Sequence, residues 1–255
     1  MYKDIEIETS YRHLTKVISK LKEPICILGG WAVFFTVKDV YQKQTGRIYI
    51  GSRDIDIGFN NVEFFKSAAL ILEKELNFEF ISFRYYKSIH AETGKDLTKA
   101  EARSMPQHMI FPIYVDPIIS YIDNNIKSKL GFTPLDEPLL KHVFINKRYR
   151  KEIKEFGKKL LLPMPQVLLA TKIKSVLTRE KEHKKQKDIC DITALCLFGE
   201  IAINKLIKET NNLLSKSVLQ KFKDMNFDQE ISGCSTTLGL EQNTINSVIS
   251  KIKER

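Results

Sequence analysis

Two aspartates separated by one residue, Asp54 and Asp56, lie in the stretch RIYIGSRDIDIGF, residues 47–59. The β-branched and apolar residues of this stretch predict a strand, in which residues two apart point to the same side. The two carboxylates would therefore stand side by side, and burying two like charges without compensation is costly. Mg²⁺ would provide that compensation, because it binds a few carboxylate oxygens together with substrate phosphates and water. The pattern predicts a metal site for phosphate chemistry.

Two further features of the sequence extend this prediction. Asp116 is a single acid in the apolar, β-forming run FPIYVDPII, so it would supply a third carboxylate from a neighbouring strand. Upstream, CILGGWAVF reads as a strand, two glycines and a helix. Because Gly29 and Gly30 have no Cβ, their backbone N–H groups can approach a phosphate at the positive end of that helix. Each feature alone is common, and their combination favours a metal-assisted phosphoryl or nucleotidyl transfer site.

GGWAV, RDIDIGF and the later Asp116 together resemble the nucleotidyltransferase superfamily with the DNA polymerase β-like fold. Within it, the motifs are similar to the small antibiotic nucleotidyltransferases and to the AbiEii and MenT toxins of toxin–antitoxin systems. The resemblance implies that Asp54, Asp56 and Asp116 hold Mg²⁺ or Mn²⁺, with Asp116 also serving as base or orienter for the acceptor. Ser52 lies two residues before the first aspartate, where the family often has a serine, and it is expected to contact phosphate. Arg47 is expected to be a further contact.

The second half of the chain carries a motif that separates these two branches. The stretch PMPQVLLATKIKSVLTREKEHKKQKDICDITAL is similar to the AbiEii pattern of a helical lysine, an arginine and a basic-acid pair followed by a second acid. Lys172, Arg179, Asp188 and Asp191 match that pattern. The resemblance implies that Lys172 contacts the triphosphate and that Asp188 supports it from the next helix. We interpret Arg179 and Asp191 as a structural ion pair or helix caps.

The order of helical and strand patterns predicts two domains. Residues 1–138 alternate helices and strands, which indicates a mixed-sheet α/β (α+β) domain, and the resemblance implies a nucleotidyltransferase head there. Residues 10–22 read as a helix with Ser10 as its cap, and residues 78–86 read as a single strand. Residues 139–255 begin with short strands around Gly157 and are then mainly helical. The expected architecture is an α/β head with a helical carboxy-terminal domain.

The composition and charge of the chain limit its expected cellular location and the kinds of partner it is expected to bind. The formal net charge of +10 and a pI near 9.3 favour polyanionic partners such as tRNA, although many basic proteins bind no nucleic acid. No apolar run approaches the ~20 residues that cross a bilayer, and the first residues lack the apolar segment of a signal peptide. The four cysteines include no CxxC pair. We expect a cytoplasmic protein without a membrane partner or structural zinc.

The sequence therefore predicts an enzyme that transfers an NMP from an NTP to an acceptor, with Mg²⁺ or Mn²⁺ as cofactor. The acceptor stays open between a tRNA 3′ end, a protein hydroxyl and a small molecule. An AbiEii-like toxin would also have a cognate antitoxin protein as partner. Alternatives are an antibiotic-type nucleotidyltransferase, a non-catalytic nucleotide-binding member of the fold, and a glycosyltransferase whose DxD holds a metal. The Gly-Gly turn before Asp54 and the KDxxD pattern at Lys187–Asp191 argue against the glycosyltransferase.

Overall fold

A mixed β-sheet and a set of α-helices build this chain, in a computed structural model that describes residues 2–122 and 124–254. The chain divides into two units: a sheet unit formed by Tyr2–Trp31 and Gly51–Leu162, and a helical unit formed by Ala32–Ile50 and the chain from Pro163. The predicted class, a mixed α/β sheet domain with a helical carboxy-terminal part, is confirmed. The boundary placed between residues 138 and 139 falls inside the sheet unit.

The sheet contains both parallel and antiparallel pairs. Its order is β3-β4-β5-β2-β1-β8-β7, and β6 pairs with β5. In the described residues the strands are β1 (Ile25–Ile27), β2 (Ile55–Phe59), β3 (Glu79–Ile81), β4 (Arg84–His90), β5 (Ile110–Ile119), β6 (Leu135–Asp136), β7 (Arg150–Glu155) and β8 (Lys158–Pro163). The predicted strands around Gly157 are β7 and β8, and they join the same sheet as β1 because β1 pairs in parallel with β8.

Among the described residues up to 145, six α-helices accompany the strands. They are α1 (Asp4–Lys20), α2 (Gly29–Thr45), α3 (Val62–Leu70), α4 (Lys99–Ser104), α5 (Asn124–Leu130) and α6 (Leu140–Ile145). Helix α1 begins earlier than predicted, because the Glu6 carboxylate accepts the backbone N–H of Lys3 at 3.3 Å and closes its amino end. Ser10 is therefore not a cap but a buried residue inside α1. The sequence offers Asn60 or Asn61 as the cap of α3, and Asn61 has that role, since it accepts the backbone N–H of Phe64 at 3.0 Å.

Two strand predictions were wrong in extent. Residues 47–54 do not form a strand, and in the described part of the chain the pairings of β2 begin at Ile55. Short β1 offers partners only from Cys26 and Ile27. On the other side the recorded pairs with β5 begin at Ile55 and Val115, although β5 itself starts at Ile110. Residues 78–86 form not one strand but the hairpin of β3 and β4. Ser82 is left-handed there, with φ of 58°, and turns the chain back.

The helical unit follows the predicted helical patterns. Its helices from Pro165 onward are α7 (Pro165–Val176), α8 (Glu182–Phe198), α9 (Ile203–Asn211), α10 (Lys216–Asp224), α11 (Asp228–Leu238) and α12 (Gln242–Lys253). The stretch from 202 to 225 reads as one helix in sequence but divides into α9 and α10, because Ser215 caps a new helix by accepting the N–H of Val218. Across residues 2–122 and 124–254, every helix is too short or too polar to span a bilayer.

Candidate active site

Asp56 and Asp116 occupy matching positions on two adjacent parallel strands. Asp56 on β2 is in register with Asp116 on β5, so the two carboxylates project from the same face, on strands spaced about 4.8 Å apart. Asp54 directly precedes β2 and is partly buried. Ile55 and Val115, which point to the opposite face, are fully buried. The sequence predicted an acid pair and a third acid on a neighbouring strand, and in the structure β2 and β5 are neighbours.

Gly29 brings the amino end of α2 directly against one of these acids. It is the first residue of α2 and has φ of 59°, in the left-handed region that favours glycine. A Cβ at Gly29 would lie 1.8 Å from Oδ2 of Asp56. The Leu28 N–H donates to the Asp56 carbonyl at 2.9 Å and ties the two segments together. The positive end of a helix favours an anion, and in this structure a carboxylate lies there. The phosphate contacts expected of Gly29 and Gly30 stay predictions.

Arg84 is a charged member of this site that the sequence did not single out. Its Nε donates to Oδ1 of Asp116 at 2.8 Å, and its Nη2 donates to Oδ2 of the same carboxylate. Its guanidinium also lies over the ring of Tyr114, 4.0 Å from the ring centroid. Burial alone would lower the pKa of Arg84, but Asp116 above all, with Asp54 and Asp56, raises it above its ordinary value. The Arg84 guanidinium therefore interacts with all three acids, and Arg53 adds a second positive charge, with its Nε 3.9 Å from Oδ1 of Asp54.

The donor chemistry of the acids suits a hard divalent cation, but their arrangement is not that of a three-acid metal site. Carboxylate oxygens are the protein ligands that Mg²⁺ prefers, and one or two of them suffice when substrate phosphates add ligands. Within residues 2–122 and 124–254, no group of three or more His, Cys, Asp or Glu side chains is placed to hold a metal ion. Arg84 occupies both oxygens of Asp116. Asp54 and Asp56 fit a divalent cation by donor type, and the metal role of Asp116 stays a prediction.

The loop that leads to Asp54 is held in place by Trp31. A Cβ on Gly51 would lie 2.5 Å from the Trp31 ring, so the loop backbone lies directly on the indole. The indole Nε1 donates to Oγ of Ser10 at 3.2 Å, and Trp31 is buried. Trp31 is thus a core residue. Ser52, the next residue of the loop, is also buried, and its predicted phosphate contact is not tested by these contacts.

Lys172 lies in a buried ion-pair cluster of the helical unit. Its side chain is 6% exposed, and its Nζ lies 2.8 Å from Oδ1 of Asp188 and 2.7 Å from Oδ2 of Asp191. Burial alone would lower the pKa of Lys172, but the two carboxylates raise it above its ordinary value. Burial alone would raise the pKa of Asp188, but Lys172 and Arg179 lower it to about 2. Arg179 reaches Asp188 through Nε at 2.7 Å.

The cluster extends through Asp191 to a buried tyrosine. The Tyr49 hydroxyl donates to Oδ1 of Asp191 at 2.7 Å, and the Lys187 ammonium donates to the same oxygen. Arg179 and Asp191 both form ion pairs, Arg179 with Asp188 and Asp191 with Lys172 and Lys187. Arg47 also belongs to the helical unit, where its guanidinium lies against Gly239 at the end of α11. The nucleotide roles of Lys172, Asp188 and Arg47 stay predictions.

Comparison with known proteins adds little to this description. No protein-family model matches the chain, and no curated protein matches it. Among solved structures, the chain is similar to the crystal structure of an antigenic nucleotidyltransferase-like protein from Paracoccidioides brasiliensis. The identity is 14% and the TM-score 0.38, over 98% of this chain and 94% of that chain. An identity and a TM-score this low support no inference about the activity of this chain.

Proposed function

We propose that this chain is a metal-dependent nucleotidyltransferase that moves an NMP from an NTP to an acceptor hydroxyl. The observation that carries the proposal is the register of Asp56 with Asp116 on β2 and β5, beside the amino end of α2. Acids grouped on one sheet face next to a helix amino terminus suit a bound cation together with a polyphosphate.

The roles follow from what each group can donate or accept. Asp54 and Asp56 would hold Mg²⁺ or Mn²⁺, which would neutralise charge on the transferring phosphate. The N–H groups at Gly29 and Gly30 would bind phosphate oxygens, with Ser52 as a further donor. Asp116 would orient the acceptor hydroxyl through its carboxylate, which also accepts both hydrogen bonds from Arg84. Positioning and charge neutralisation would supply most of the rate enhancement.

Residues of the helical unit complete the proposal as expectations of the sequence resemblance. Lys172 would contact the triphosphate, Asp188 would support Lys172, and Arg47 would be a further phosphate contact. The ion pair of Lys172 with Asp188, at 2.8 Å, is consistent with the supporting role. The buried position of Lys172 is equally suited to a purely structural role, so substitutions here report on stability as well as on nucleotide binding.

For the acceptor, we propose a tRNA in an AbiEii-like toxin, with a cognate antitoxin as partner. The formal charge of +10 supports a polyanionic acceptor. The test is incubation of the protein with each labelled NTP, Mg²⁺, and either total tRNA or cell extract. Label on tRNA would support the proposal in full. Label on a protein or on a small molecule such as an antibiotic would keep the transferase and replace the acceptor, and no label with any NTP would refute the transferase.

Asp56→Asn tests the mechanism within that assay. The substitution keeps the size of the side chain but removes the charge that holds the cation, so NMP transfer should fall to background while the fold is kept. Asp136→Asn, at an exposed position of β6, is the matched control and should transfer normally. Circular dichroism would verify that both variants fold. NMP transfer by Asp56→Asn at the wild-type rate would refute the mechanism.

A further inference from the structure

We propose that Arg84 and a divalent cation compete for the Asp116 carboxylate, so that Asp116 becomes a metal ligand only when Arg84 releases it. The inference rests on the proposed function, which supplies the reason for these acids to bind a cation. It goes further by assigning a role to a residue outside the predicted motifs and by accounting for the absence of a three-acid metal group among the described residues.

The first argument is geometric, because the guanidinium already occupies the positions that a cation would use. Tyr85 pairs with Val115 and Tyr86 with Tyr114, and continuing this antiparallel register places Arg84 opposite Asp116. Opposite residues of an antiparallel pair project from the same face. Arg84 binds both oxygens of Asp116, which is 5% exposed. A two-pronged arginine uses the two lone pairs that face each other, so a cation chelated by both oxygens of this carboxylate must break at least one of these two hydrogen bonds.

The second argument concerns charge. Asp54, Asp56 and Asp116 together carry three negative charges, and all three raise the pKa of Arg84, so they act on the same guanidinium. Arg53, whose Nε lies 3.9 Å from Oδ1 of Asp54, is a second guanidinium at these acids, so three carboxylates still outnumber two positive charges and favour a cation. Bringing that ion to the same acids places it close to the guanidinium, and two cations at short distance repel. The carboxylates thus favour the cation while Arg84 disfavours it.

The third argument is that the Arg84 side chain can move away from Asp116 towards solvent. Its side chain is 23% exposed, so the guanidinium reaches solvent without any change in β4. The ring of Tyr114, 4.0 Å away, holds the guanidinium through a cation–π contact that does not depend on Asp116. Arginine has several rotatable side-chain bonds, so release of Asp116 requires a side-chain movement only.

The competition is tested by titrating Mn²⁺ into the metal-free protein without nucleotide, with the free ion measured by electron paramagnetic resonance. Arg84→Gln should bind Mn²⁺ about tenfold tighter or more, the scale on which groups surrounding metal ligands change affinity. Asp116→Asn, with Arg84 retained, should weaken Mn²⁺ binding because a ligand is lost. The double variant should lose the gain that Arg84→Gln produces. Arg103→Gln, which removes an equal charge at an exposed position of α4, should leave affinity unchanged.

Two outcomes would overturn the inference. If Arg84→Gln binds Mn²⁺ no more tightly than the wild type, Arg84 does not oppose the cation. If Asp116→Asn leaves wild-type binding unchanged, the cation never uses Asp116 and the ion pair is permanent. Should Arg84→Gln fail to fold, Arg84→Lys provides the same test, since it keeps the charge but loses the two-pronged contact, and its affinity should lie above that of the wild type.

Failure of this inference can be told apart from failure of the proposed function. Arg84-dependent Mn²⁺ binding in a protein that transfers no NMP would keep the competition and remove the proposed reaction. NMP transfer by a protein whose Mn²⁺ affinity is insensitive to Arg84 would keep the reaction and remove the competition.

Discussion

Gly29→Ala tests directly whether the amino end of α2 holds Asp56 in place. The substitution has two effects that the structure separates. Gly29 has φ of 59°, and a side chain in the left-handed region costs roughly 1–2 kcal/mol. In addition, the new Cβ would lie 1.8 Å from Oδ2 of Asp56, far inside any non-bonded contact. The carboxylate must therefore move away from the helix end.

The matched control is Gly157→Ala in the turn between β7 and β8. Gly157 has φ of 72°, but nothing lies within 4 Å of its Cβ position, so only the backbone cost remains. Displacing an acid from a helix amino end costs about 0.3–1 kcal/mol more, and up to ~2 kcal/mol where it is partly buried. In urea denaturation we expect Gly29→Ala to lose about 2–3 kcal/mol of unfolding free energy and Gly157→Ala about 1–2 kcal/mol.

Gly29→Ala and Gly157→Ala should differ more in their rate of NMP transfer than in their free energy of unfolding. A misplacement of about 1 Å in a reacting site can reduce the rate ~100-fold, so Gly29→Ala should lose NMP transfer by that factor or more. Gly157→Ala should transfer at the wild-type rate. Equal stability losses together with full activity in Gly29→Ala would refute the reasoning, because the carboxylate position would then not depend on this glycine.

Two predictions concern the buried ion-pair cluster of the helical unit. The pKa of Asp188 is about 2 in the folded chain against 3.8 as its ordinary value, so its charge stabilises the fold above about pH 4, and this contribution of about 2 kcal/mol is lost as pH falls from 4 towards 2. Asp188→Asn should flatten that part of the unfolding free energy profile against pH. Tyr49→Phe should lower the unfolding free energy by about 1–3 kcal/mol at neutral pH, since Asp191 loses a buried hydrogen-bond donor.

Each of these predictions has its own check. An Asp188→Asn variant with the acid sensitivity of the wild type would show that other carboxylates cause the loss. For the tyrosine, Tyr121→Phe removes a hydroxyl from a residue that is 61% exposed, and it should change the unfolding free energy by less than about 0.5 kcal/mol. A Tyr49→Phe variant as stable as Tyr121→Phe would contradict the assigned hydrogen bond.

The features that could be predicted from the sequence are local ones. The close spacing of Asp54 and Asp56 and the Asn61 cap depend on residues within a few positions of each other. The turn at Gly29 likewise follows from adjacent residues, because only glycine accepts the left-handed backbone without cost. Backbone geometry repeats over two residues in strands and over about four in helices, so such patterns are visible in a short window.

Pairings between strands that are far apart in the sequence could not be predicted from so short a window. β1 pairs with β8 through Ile25 and Leu160, so a hairpin that looked like the start of a second domain belongs to the first sheet. An apolar strand carries no mark of which other apolar strand it will join. The same reason limited the prediction for residues 47–54, whose composition suits a strand but which have no partner in the described sheet.

For the site, the sequence by itself determined the kinds of acid and their spacing at the start of β2. Only the tertiary structure decided which charges meet, because Arg84 and Asp116 are 32 residues apart and are joined by the register of β4 and β5. Arginine is abundant on protein surfaces, and nothing in its neighbouring residues indicates that it faces an acid site. Its position follows from strand pairing, which the whole sheet sets by the packing of its buried face.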